Sequence, residues 1–77
     1  MNMVEVFKTN VQQQQHANRL VEVLYHHFPL FKINFDLEDC DRILKVEGNN
    51  INPQRIIHLL NTNGYTCAIL PDETIKI

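Results

Sequence analysis

The chain has 77 residues, a formal net charge of −2, and apolar (44%) and charged (21%) fractions that fit one small globular domain. Its acidic residues cluster at Asp36, Glu38, Asp39 and Asp41, and no basic patch offers itself to phosphates. Nucleic acid and anionic membranes are therefore poor partners on charge alone.

Met1 to Phe7 alternate like a strand and lack the charged start and apolar run of a signal peptide. No apolar run approaches the ~20 residues of a membrane span. Cys40 and Cys67 are too far apart to suggest a disulfide framework, so a reducing, cytoplasmic home is expected. A domain of this size buries only about 60% of the surface its unfolded chain exposes, and a partner subunit would add to a thin core.

Residues 3 to 9 place Val4 and Val6 on one side and Met3, Glu5 and Phe7 on the other, which predicts a half-buried strand. Thr9 or Asn10 is of the right type to cap the helix that follows. From Gln12 to Phe28, the residues Ala17, Leu20, Val21, Leu24 and Phe28 form one helical stripe, with Arg19, Glu22 and His26 on the polar side. Pro29 stops this helix. The four-residue glutamine run reads as helix start rather than low complexity.

Ile33, Phe35 and Leu37 alternate with Lys32, Asn34, Asp36 and Glu38 in a second strand. Glu38-Asp39-Cys40-Asp41 is a polar turn, and Leu44 and Val46 continue a third strand to Glu47-Gly48, closing a hairpin. Asn52-Pro53 starts a second helix with an N-cap side chain and a proline at the first helical position. Ile56, Ile57 and Leu60 mark its buried face, and Asn63-Gly64 ends it. Tyr65 to Leu70 is a fourth strand stopped by Pro71. The tail Glu73 to Ile77 reads either as a frayed end or as a short added edge strand.

The order βαββαβ with right-handed crossovers places both helices on one face of a four-stranded antiparallel sheet. The predicted class is α+β, a ferredoxin-like sandwich of strand order 4-1-3-2. It forms one domain over residues 1–77, with its core over about 3–70 and a short tail at 71–77.

Thr9-Asn10-Val11-Gln12, then Ala17 and Leu20, the acidic hairpin, Val46-Glu47-Gly48 and Gly64-Tyr65 together resemble the heavy-metal-associated domain. That family includes copper chaperones and the amino-terminal modules of copper-transporting ATPases. The resemblance spans nearly the whole chain. The family's most specific element, Cys-x-x-Cys at the junction of first strand and first helix, is absent. Val11 fills the apolar place before it, so the two ligand positions fall on Gln13 and His16.

Cu(I) selects thiolates, and two thiolates flanking a helix start can pinch one ion. An amide and a single imidazole do not replace them. The resemblance therefore implies a degenerate module with no tightly held cofactor. A relocated site for Zn(II) or Cu(I) would combine His16 with Cys40 and a hairpin carboxylate, since the first strand-helix loop, the hairpin turn and the loop before the fourth strand emerge at one end.

Other features read blandly. His26 and His27 are a solvated helix end, His58 is isolated, and Cys67 is a small core residue. Neither cysteine has a local His as the base for nucleophilic catalysis, so no enzyme is predicted.

Phe7 and Ile43 are assigned to the sheet face that no helix covers, extended by Met3, Ala68 and Leu70. That face is the expected interface for a protein partner or a homodimer. RNA-binding owners of this topology need stacked aromatics on the central strands, and acylphosphatase-like enzymes need an arginine-bearing anion cradle after the first strand. Neither is present. The leading expectation is a non-enzymatic binding domain. The alternatives are a metal carrier using His16 with Cys40 or a dimer-related ligand, and a regulatory domain that binds a small molecule.

Overall fold

Phe7 is completely buried, and that decides which way the central strand faces. The computed structural model describes residues 2–70, so the tail 71–77 and its expected edge strand lie outside the described residues. The elements run β1 (Met3–Thr9), α1 (Gln14–His27), β2 (Lys32–Asp36), β3 (Ile43–Gly48), α2 (Pro53–Thr62) and β4 (Cys67–Ile69). The strands form one antiparallel sheet in the order β2-β3-β1-β4, which is the expected order read from the opposite edge. The class is α+β, a four-stranded antiparallel sheet with two helices.

Residues paired directly across an antiparallel ladder project to the same face. Phe7 pairs with Leu44, and Ile33 pairs with Val46. All four are buried in the single core that also takes Leu20 and Leu24 from α1 and Ile56 and Leu60 from α2. Both helices therefore cover this face. The assignment of Phe7 to the open face is corrected, and Met3 moves with it, because alternate residues of a strand share a face. Val4 and Val6 point the other way, and Val4 stays half exposed. One phenylalanine carries more apolar area into the core than either valine, so the face bearing Phe7 is the one that packs. Ile43 does stand on the open face, opposite Lys8 and Asp36.

The helix limits follow local chemistry. α1 begins at Gln14, two residues later than the periodicity suggests, and its N-cap Gln13 makes no side-chain cap bond. Thr9 and Asn10 are used elsewhere, as described below. The helix ends where Phe28 N–H donates to the Leu24 carbonyl at 2.7 Å, just before Pro29. The Asn52 side chain caps α2 by accepting from Gln54 N–H at 3.1 Å, with Pro53 next. Gly64, at φ 94°, takes the left-handed turn that ends α2 without a Cβ penalty.

Gly48 has a different reason to be glycine. A Cβ there would run into the ring of Phe31, which itself stacks on Phe28 with centroids 5.2 Å apart and planes 9° apart.

Truncating Phe7 to alanine is expected to cost about 3–5 kcal/mol, as for other large core side chains. Ile43→Ala on the open face should cost about 1 kcal/mol. Urea unfolding of both variants checks the face assignment, and a larger loss at Ile43 would reverse it.

Candidate functional site

Three loops meet at one end of the molecule, and Thr9 is the knot. Its side chain is buried. Its Oγ1 donates to the Arg42 carbonyl at 2.6 Å and accepts from Val11 N–H at 3.2 Å. Its backbone N–H reaches the Asp41 and Arg42 carbonyls at 3.1 and 3.2 Å. Asn10 turns the other way and accepts from Thr66 N–H at 2.9 Å. The two residues expected to cap α1 instead tie the β1–α1 loop to the hairpin and to the loop before β4. The buried Thr9 hydroxyl thereby gains a partner on each side, while the Asn10 bond lies at the surface.

The hairpin turn is held from within. Asp36 accepts from Glu38 N–H at 3.2 Å, and Asp39 accepts from Asp41 N–H at 2.9 Å. These bonds make the acidic residues turn-formers. Arg42 takes a left-handed conformation at φ 50°, and its guanidinium donates to the Leu37 carbonyl at 3.0 Å. Lys8 lies 3.9 Å from Asp41, an exposed pair of little energetic weight. Arg42 as a clasp is not readable from the sequence, since no local pattern marks a left-handed arginine.

Gln13 is exposed at the N-cap of α1, and His16 sits half-buried in its first turn. The His16 ring lies 6.2 Å from that of Tyr65, tilted by 52°. The Gly64-Tyr65 turn thus supplies the wall against which His16 rests. Cys40 is exposed at the hairpin tip, and one ligand atom each from Asp39, Cys40 and Asp41 lie within 4.8 Å of one another. His16 is not one of this group. The fold brings His16 and Cys40 to the same end, as the topology requires, but the group around Cys40 is built from its chain neighbours. Its thiol and two carboxylates are ligand types that Zn(II) accepts.

The open sheet face is a second candidate. Ile43, Val6 and Leu70 are half-buried there, with Val4 and Ala68 exposed. Pairing sets Ala68 beside Lys8, and Leu70 N–H donates to the Val6 carbonyl at 2.9 Å. Val4 and Val6 lie on β1 beside Leu70 and Ala68 of β4, Ile43 stands on β3 with Lys8 between it and Ala68, and Lys32, Asn34, Lys45 and Glu47 occupy the side nearer β2. Val4 and Val6 thus stand on the face expected for Phe7 and Met3.

Cys67 is half-buried on the helix side of β4, and burial pushes its thiol pKa up to about 12. Among the described residues, no helix is long and apolar enough to cross a membrane. No protein-family model, curated protein or solved structure matches the chain.

The two cysteines should behave differently. A maleimide at pH 8 is expected to label the exposed Cys40 at least about tenfold faster than Cys67, because the thiolate is the reacting form. Equal rates on the folded protein would contradict the burial of Cys67. The unfolded chain releases the Cys67 proton from about pH 9, whereas the folded chain holds it to about 12. Cys67 therefore lowers stability as pH rises through that window. Cys67→Ala should flatten the fall, which unfolding curves at pH 8 and 10.5 would reveal.

Proposed function

We propose that this chain is a non-enzymatic binding domain of the ferredoxin-like class. It resembles heavy-metal-associated modules, with Gln13 and His16 in the dithiol positions, and it works by protein contact in a reducing, cytoplasmic setting. The element order, the strand order and the two helices on one face support the class. The two free cysteines suit the compartment.

One observation carries the contact reading. The open sheet face presents Val4, Val6, Ala68 and Leu70, with Ile43 across Lys8 from Ala68, as an apolar patch over which no helix packs among the described residues. Apolar surface of this kind, rimmed by charge, is typical of contact sites. A second copy or a partner protein laid on this face would remove it from water.

A metal-carrier reading is kept as the rival, because Asp39, Cys40 and Asp41 hold a thiol and two carboxylates close together. The contact reading predicts no Cu(I) or Zn(II) binding tighter than that of an exposed histidine-bearing surface. Competition titrations of reduced protein, with His16→Ala and Cys40→Ser alongside, test this. Tight stoichiometric binding lost in either variant would make the metal reading lead.

Light scattering should find self-association at high micromolar concentration that Ile43→Glu abolishes without loss of fold. A monomer at every concentration, indifferent to Ile43→Glu, would remove the homodimer form of the proposal.

A further inference from the structure

A cleft of about 440 Å³ runs along the outer face of α2, from its first turn to its last residue, beside the end of α1. We infer that it binds a small organic anion with a flat apolar body and one carboxylate or phosphate head. Its volume lies within the ~300–1,000 Å³ of small-molecule sites.

The cleft divides by chemistry. Phe28 and Leu59, both half-buried, form an apolar floor. Phe28 is backed by its stack on Phe31, so the floor is a braced aromatic surface. Around it stand Gln54, His58 and Thr62, which recur at every fourth residue of α2 and so share one stripe of that helix. Gln54 and His58 each offer a hydrogen-bond donor, whereas the Thr62 hydroxyl donates to the Leu59 carbonyl at 3.0 Å and leaves its oxygen to accept. Arg55 and His27 complete the lining.

No carboxylate lines this cleft, although acidic residues outnumber basic ones by nine to seven in the whole chain. Every ionisable group in it is a guanidinium or an imidazole. Among the described residues Arg55 makes no ion pair. Its guanidinium lies 5.6 Å from the centre of the Phe28 ring, which steadies the group while leaving its N–H edge free to donate. His27 is fixed by a 3.1 Å contact between its Nδ1 and the Val23 carbonyl.

The helix terminus itself does not supply the site. Asn52 already engages Gln54 N–H through its side chain and Arg55 N–H through its carbonyl, and Pro53 has no N–H. The head group is left to side chains, with Arg55 as the planar fork and His58 and Gln54 beside it. A metal ion is disfavoured in the same place, because the arginine would repel it.

This site is independent of the sheet-face contact and lies on other elements. The test is an amide NMR titration of the whole chain with benzoate and with phenyl phosphate, using benzamide as the neutral control. Saturable shifts centred on His27, Arg55 and His58 are expected for at least one anion, with benzamide at least tenfold weaker. Arg55 is exposed, so Arg55→Gln keeps the fold. It should weaken the anion at least tenfold, while Arg19→Gln, on the outer face of α1, should not. Unsaturable shifts spread over the surface, equal binding of benzamide, or an Arg55→Gln variant that binds as tightly would each overturn the proposal.

Discussion

The burial of Phe7 is the constraint on which the other placements depend. A strand has a side-chain period of two, so committing one residue commits all of them. With Phe7 inward against Leu44, Thr9 must also turn inward, where it meets the hairpin backbone. Val4 and Val6 must turn outward and become the apolar row of the open face. The core, the knot at the loop end and the candidate contact surface thus follow from one side chain in the central strand.

The loop end is held together by residues other than those that open α1. Thr9, Asn10 and Arg42 hold three loops in place by hydrogen bonds that involve neither Gln13 nor the His16 ring. Gln13 is free to vary without loosening the loops, while the His16 ring faces Tyr65 of the turn before β4. The hairpin carboxylates likewise have local work to do, because Asp36 and Asp39 shape the turn on which Cys40 sits.

Much of the architecture was legible in the residues. The helical stripe of α1, the Asn52-Pro53 start, the Asn63-Gly64 stop and the polar hairpin turn each carry a local physical signal, and each lies where that signal puts it. The facing of β1 was not legible, because both of its sides are apolar and alternation alone does not rank them. Thr9 and Asn10 have capping side chains, yet their partners, Arg42 and Thr66, are remote in sequence. Only the assembled fold brings such partners together. The cleft between the helices was hidden for the same reason, since His27 and Arg55 belong to different elements.

Gly48 and Phe31 show what such packing asks of sequence change. The absent Cβ at position 48 and the ring at position 31 occupy one volume between them, and that ring braces Phe28 beneath the cleft. Substitutions at the two sites are therefore not additive. A methyl group at 48 becomes tolerable once 31 is made smaller, but the smaller residue takes the brace from Phe28. A change made at the end of an inner strand would be felt beneath the cleft as epistasis.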